Sequence, residues 1–263
     1  MLKKILIMLI LILFLLLVHI IILKNYSKKN DNVLFSNIKY YKELNIKRYK
    51  SYGKIHKEKT YEQIVTEVNI GLDKPFYTNT KKITNHNFTV LVNKYNYLDK
   101  LYEPKNLTKV DNTKLVRHVA DEFIKMKKDA SKNNLNIVAI SGFRSFEYQD
   151  NLYNKYVKVD GLEKADKYSA RAGYSEHQTG LAIDISNGKK TYMDFENTKE
   201  FNWMQKNSYK YGFILRYPKG KENITGYIYE SWHYRYVGIK IALYIKKHNI
   251  TYDEYYVKFI DLS

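Results

Sequence analysis

The chain opens on a sharp step in polarity. Met1-Leu2-Lys3-Lys4 gives way to an apolar run from Ile5 to Leu23, interrupted only by His19 and ended by Lys24. A helix needs roughly 20 such residues to cross the hydrocarbon layer. Nothing resembling Ala-x-Ala follows the run, so residues 1–24 are expected to form an uncleaved signal anchor rather than a processed signal peptide. Lys3 and Lys4 before the span are answered by Lys24, Lys28 and Lys29 after it, so the positive-inside rule does not fix the orientation. Residues 25–60 then mix Lys, Asn, Tyr and Ser with little periodicity and read as a polar stalk.

Regular patterning begins after residue 60. Ile64 to Ile70 and Phe88 to Val92 carry branched residues in strand-like runs, separated by Gly71 and by Asp73 to Pro75, and read as a lead-in packed on the main domain. From Asp111 or Asn112, as cap, a helix is predicted to about Lys132, with Leu115, Val119, Phe123 and Met126 on one face. Ile137 to Ile140 reads as a short strand, and Tyr148, Leu152 and Tyr156 as the stripe of a second helix. Leu181 to Ile185 reads as a buried strand, Asn197 to Tyr211 as a helix, Phe213 to Tyr217 as a third strand, and about Gly238 to His248 as the closing helix. Short connections between alternating elements predict an α+β fold, a small antiparallel central sheet flanked by helices. The domain is expected to occupy residues 61–263, with its core at about 87–250.

Composition narrows the chemistry. Cysteine is absent, which removes disulfides, thiolate metal sites and a cysteine nucleophile, so any metal must be held by His, Asp or Glu. The net charge of +18 favours polyanions: nucleic acid, anionic lipid headgroups or phosphate-rich wall polymers. Only six of the 45 basic residues are Arg, the side chain that reads bases and phosphates bidentately, and no nucleic-acid partner is expected. An A- and T-rich genome would produce the same abundance of Lys, Tyr, Asn and Ile.

The densest cluster of unusual residues is Ser175-Glu176-His177-Gln178-Thr179-Gly180-Leu181-Ala182-Ile183-Asp184, followed some fifty residues later by Tyr229-Glu230-Ser231-Trp232-His233. An open catalytic zinc takes three protein ligands of imidazole and carboxylate type and leaves a position for water. His177, Asp184 and His233 would supply these ligands, and Glu230, three residues before His233, would lie beside the water as a general base. Each also has a plainer reading. A lone histidine near a strand is commonly a satisfied core or surface residue, and Asp184 within Leu-Ala-Ile-Asp-Ile could be offset by arginine or backbone amides as well as by a metal.

Taken together with Tyr211-Gly212-Phe213-Ile214-Leu215-Arg216-Tyr217-Pro218 and Tyr234-Arg235-Tyr236-Val237-Gly238, these segments resemble the VanY-type D-alanyl-D-alanine carboxypeptidases, zinc metallopeptidases with a Hedgehog/DD-peptidase-like fold. The resemblance runs from about Val92-Asn93-Lys94, through Ser141-Gly142-Phe143-Arg144-Ser145, to about His248. It implies one zinc per chain held by His177, Asp184 and His233, with Glu230 as catalytic base and Arg144 stabilising negative charge. Ser175 and Gln149 match positions that hold the peptide. The chain departs from the family pattern at Ser231 and Ala172, where proline is customary, which affects loop stiffness and leaves every implied ligand in place.

The implied substrate is the peptidoglycan stem peptide, cut at its terminal D-Ala-D-Ala bond. The close alternative is an L,D-carboxypeptidase acting on stem tetrapeptides. A third reading, a wall-binding module that has lost catalysis, predicts a damaged site. An extracellular domain tethered to the cytoplasmic membrane by the N-terminal helix, with its basic surface held against anionic wall polymers, would meet such a substrate. No role is assigned to Arg171, Arg216 or Arg235, and Trp232 is read as wall or core.

Overall fold

The computed structural model describes residues 10–21, 32–189 and 192–262. The chain divides into two compact units, one comprising residues up to Asp73 together with those from Val257, the other Lys74–Tyr256.

In the first unit, residues 10–21 are helical and apolar, and the remainder of the Ile5 to Leu23 run lies outside the described residues. Among the described residues no helix is long and apolar enough to cross a membrane. The stretch expected to be a polar stalk is folded where it is described. Helix α1 (Ile46–Ile55) packs on α2 (Tyr61–Ile70), and Phe35, Tyr40 and Tyr49 are buried with Ile64, Val65 and Val68. Its aromatic residues supply the apolar area that the stretch otherwise lacks. The expected strand from Ile64 to Ile70 is α2 instead. Thr60 accepts a hydrogen bond from the Gln63 amide while the Gln63 side chain caps Thr60 in return, and this capping box overrides the branched residues' preference for strand.

In the larger unit, the two-residue strands β1 (Lys81–Lys82) and β2 (Asn96–Tyr97) pair in parallel. Phe88 to Val92, expected as a strand, is irregular, and Val90, Leu91 and Val92 are buried. Strands β3 (Leu107–Val110) and β4 (Thr113–Val116) form an antiparallel hairpin. Asp111 is therefore a turn residue, with φ 49°, and not a helix cap; its carboxylate accepts the Ala139 amide. Helix α3 (Arg117–Ser131) starts later than its pattern predicts, because Thr113 to Val116 is spent in the hairpin, and it buries Val119, Phe123, Met126 and Ala130 at helical spacing.

Beyond α3, strand β5 (Val138–Ser141) leads through Gly142 to α4 (Phe146–Asp160), capped by the Ser145 hydroxyl, and to the short α5 (Leu162–Tyr168). Strand β6 (Ala182–Ser186) follows, then α6 (Lys199–Asn207), β7 (Phe213–Leu215), β8 (His233–Tyr236), α7 (Ile239–His248) and α8 (Tyr252–Phe259), the last a helix that the hydrophobic pattern did not reveal. The sheet order is β5-β6-β8-β7, antiparallel throughout. This is the expected α+β architecture, with a small antiparallel sheet flanked by helices.

The two-residue period of the strands sorts the side chains. Ile183, Ile185, Phe213 and Tyr234 enter the main core with α3. The intervening positions face the other way: Asp184 stands opposite His233, and Ile214 opposite Arg235. Ile214 joins a second apolar cluster with Val237, Ala242, Ile245 and Tyr252. One face of the sheet is thus wholly apolar core, and the other carries acids, bases and histidines.

Candidate metal centre

His177 lies in a short 3-10 turn, Glu176–Thr179, directly before β6. The Ser175 hydroxyl accepts the His177 amide at the head of that turn, and Gly180, with φ 66°, ends it in the left-handed conformation that glycine adopts without strain. The chain then enters β6, so that Asp184 arrives seven residues after His177, beside it. Cross-strand pairing brings His233, the first residue of β8, opposite Asp184. His177, Asp184 and His233 are all buried, and one ligand atom from each lies within 4.8 Å of the others.

Hydrogen bonds orient these side chains. His177 donates from Nδ1 to the Gly142 carbonyl at 2.6 Å, which leaves Nε2 as the electron-pair donor, 3.3 Å from Asp184 Oδ2. Gly142 can serve in this way because it has no side chain: a Cβ there would sit 2.4 Å from the Lys114 carbonyl. His233 Nδ1 lies 3.0 Å from Asp184 Oδ1 and 3.8 Å from Glu230 Oε2. Two imidazoles and a carboxylate with no thiolate nearby are the donor set of an open zinc site.

Arg144 stands against the same donors, with Nη2 2.8 Å from His177 Nε2 and 2.8 Å from Asp184 Oδ2. Its Nε donates to Ser141 and its Nη1 to Gln149 Oε1, both at 3.0 Å. The guanidinium satisfies Asp184 as a metal would, so a cation between these donors and Arg144 in this position exclude one another. Gln149 is buried and committed to Arg144 and to the Ala170 carbonyl at 2.7 Å, so it reaches the site through Arg144.

The electrostatics are uneven. Burial pushes the Glu230 carboxyl up to about 8, against the pull of His233 and Arg144. Burial and the Arg144 charge push His177 down to about 4. Burial also pulls on His233, but its bond to Asp184 and the nearby Glu176 carboxylate outweigh it and hold the imidazole at about 9. Asp184 stays well below the usual carboxylate range because the histidines and Arg144 outweigh its burial.

The group opens on a cavity of about 590 Å³ whose walls include Arg144, Ser175, Tyr156, Tyr217, Tyr227 and Trp232. Trp232 therefore forms wall. Lys94 supports Tyr227 from behind: its Nζ lies 4.5 Å from that ring and donates to the Asp166 carbonyl, and burial lowers its pKa to about 8. His118, on α3, and His248, at the end of α7, are not members of the metal-binding group. Arg171 pairs with Asp166 on α5.

Arg216 and Arg235, to which the sequence assigned nothing, are fully buried and both donate to Glu176 Oε1 at 2.9 Å. Arg216 also donates to Asp253 on α8, at 2.6 Å. Glu176 is adjacent to His177, and the charged letters within Ser-Glu-His and Tyr-Arg-Tyr carry no sequence signal that sets them apart from surface charges.

Comparison with known proteins agrees with the geometry. A family model described as VanY, D-alanyl-D-alanine carboxypeptidase, matches residues 112–239. The chain is 38% identical over 207 residues to the putative carboxypeptidase YodJ of Bacillus subtilis (strain 168), covering 71% of this chain and 76% of that protein. The solved LdcB LD-carboxypeptidase is similar at 40% identity and a TM-score of 0.65, covering 69% of this chain and 91% of its own. The vancomycin-resistance D,D-pentapeptidase VanY, solved with Zn(II), is similar at 31% identity and a TM-score of 0.57, covering 64% of this chain and 98% of its own.

The raised Glu230 pKa has a consequence for the metal-free protein. Folding favours the protonated acid, so this stabilising preference is complete below the ordinary value of 4.5 and is lost as pH rises through about 8. Metal-free Glu230→Gln should therefore gain stability over metal-free wild type between about pH 5 and 9, by on the order of a few kcal/mol. Denaturant unfolding of both at the two pH values checks this; a difference independent of pH would contradict it.

Proposed function

The chain belongs to the VanY family of D-alanyl-D-alanine carboxypeptidases, and from that membership we propose that it is a zinc-dependent carboxypeptidase releasing the C-terminal D-alanine of peptidoglycan stem peptides. The observation that carries this reading is the convergence of His177, Asp184 and His233 beside a buried carboxyl, Glu230, at the floor of a cavity of about 590 Å³. His177 through Nε2, Asp184 through its carboxylate and His233 through Nδ1 would hold the metal. Bound there, zinc supplies the Lewis acidity that makes a water nucleophilic near neutral pH.

The side chains do the rest. Glu230 takes the proton of the attacking water and returns it to the amine nitrogen of the departing D-alanine as the C–N bond breaks. Glu230 would be ionised, as a base must be, once a cation held by these ligands opposed the burial that raises its pKa. Arg144 lines the cavity, and its guanidinium would face the bound peptide there. There it takes up either the terminal carboxylate of the peptide or the oxyanion that forms as water adds to the carbonyl. Gln149 fixes the direction of Arg144, and Ser175, in the cavity wall, contacts the peptide.

A second reading, an L,D-carboxypeptidase acting on stem tetrapeptides, is favoured by the higher identity to LdcB, 40% against 31% for the D,D-pentapeptidase VanY. The two differ in how the pocket reads the chirality of the penultimate residue.

We further propose that the apolar run Ile5 to Leu23 anchors the chain in the cytoplasmic membrane with its catalytic unit outside. The length of the run supports the anchor, and the extracytoplasmic location of stem peptides supports the orientation. The excess of basic residues would hold the catalytic unit against anionic wall polymers.

Two experiments follow. Wild type should release D-alanine from a defined stem pentapeptide, and Glu230→Ala should retain zinc but lose activity about 10²–10⁴-fold. Release from the tetrapeptide alone would select the L,D reading, and release from neither would reject both. In intact cells, the full chain should sediment with membranes and its catalytic unit should be cut by added protease; recovery in the soluble fraction would reject the anchor.

A further inference from the structure

The two histidines of the metal group are secured differently on the side away from the metal. His177 leans on a neutral acceptor, the Gly142 carbonyl, 2.6 Å from Nδ1. His233 has no such partner. Its Nε2 is buried and makes no hydrogen bond among the described residues, and the same holds for Glu176 Oε2. These two orphaned atoms face one another across 3.7 Å. A buried imidazole nitrogen and a buried carboxylate oxygen, each without another partner, would both carry an unmet desolvation cost if they stayed apart.

We propose that Glu176 is a positioning residue of the metal centre, its Oε2 accepting the Nε2–H of His233 so that His233 presents Nδ1 beside Asp184. The proposal rests on the metal-site reading above. The separation exceeds a normal N–H···O bond of about 2.9 Å, and a movement of the ring by about 0.8 Å closes it. The opposite nitrogen already points the right way, 3.0 Å from Asp184 Oδ1.

The rest of the Glu176 environment suits this role. Oε1 is occupied by Arg216 Nε and Arg235 Nη1, both at 2.9 Å, so the carboxylate cannot rotate away from His233 without breaking two charge-assisted bonds. Those guanidiniums also keep the carboxylate ionised, which makes it a strong acceptor but a poor base. It therefore holds the imidazole proton without removing it. A carboxylate behind a metal-binding imidazole fixes its tautomer and raises its basicity, and losing such a partner typically lowers metal affinity 10–100-fold.

The test uses the full chain in detergent, loaded with zinc. Long-range ¹H–¹⁵N spectra of the histidine-labelled wild type should show His233 protonated on Nε2, protected from exchange, with a metal-shifted Nδ1. Glu176→Gln should lose that protection, and its zinc dissociation constant in chelator competition should rise 10–100-fold. Asp253→Asn removes a charge from the same buried cluster without touching Oε2, and should leave zinc affinity within about threefold of wild type. Equal losses in the two variants would mean that Glu176 only supports the fold, and would overturn the proposal. Metal bound through His233 Nε2 would also overturn it, on wild type alone, should Glu176→Gln fail to fold. A wild type that binds no zinc would overturn the metal-site reading itself, whereas unchanged affinity in Glu176→Gln overturns this proposal only.

Discussion

Four buried charges stand behind the metal group, and the packing of that face of the sheet depends on them. Glu176, Arg216, Arg235 and Asp253 have side chains at most 1% exposed. Two cations and two anions cancel, but each was desolvated at a cost of several kcal/mol that only close pairing offsets. The cluster links the turn bearing His177 to β7, β8 and α8 through bonds of 2.6–2.9 Å. Arg235 further donates to the carbonyls of Phe88 and Val90, and Asn93 to Asp253, which ties down the irregular segment that precedes β2. Removing one member would leave an uncompensated buried charge, at a cost of about 3–5 kcal/mol, so the arrangement is held as a unit.

The sheet makes such a cluster feasible. Because strand neighbours alternate in direction, β6 and β8 send Ile183, Ile185 and Tyr234 into the main core while Asp184, His233 and Arg235 collect on the opposite face. A one-residue slip would bury the ionisable set in the apolar core, a penalty that pins the register. The same face therefore holds a reactive group and, directly behind it, the charges that hold it in place. Glu230, just ahead of β8, sits where burial disfavours its ionised form, and a divalent cation among the ligands would reverse that preference.

The chemistry was more legible in the sequence than the scaffold around it. His177, Asp184, Glu230 and His233 sit in two short segments whose residue types have few other combined uses, and the structure brings all four together. Strands rich in Ile, Val and Phe were equally visible, because burial on one or both faces leaves a plain apolar run. What failed was local signal against tertiary context. Branched residues marked Ile64 to Ile70 as strand, while the decisive signal lay just upstream in the pair Thr60 and Gln63. Asp111 looked like a cap because nothing nearby announced that Asp111 would turn a hairpin with positive φ. The buried arginines were hidden by the ordinary expectation that arginine faces water, which only a three-dimensional partner such as Glu176 can overturn.

His177, Asp184 and His233 would hold one zinc in an open, three-ligand site. X-ray absorption at the zinc edge, with metal analysis of the same sample, tests it most directly. One zinc per chain is expected, in a shell of nitrogen and oxygen donors at about 2.0–2.1 Å, with the scattering signature of two imidazoles. Substoichiometric zinc, or a shell without imidazole, would contradict it.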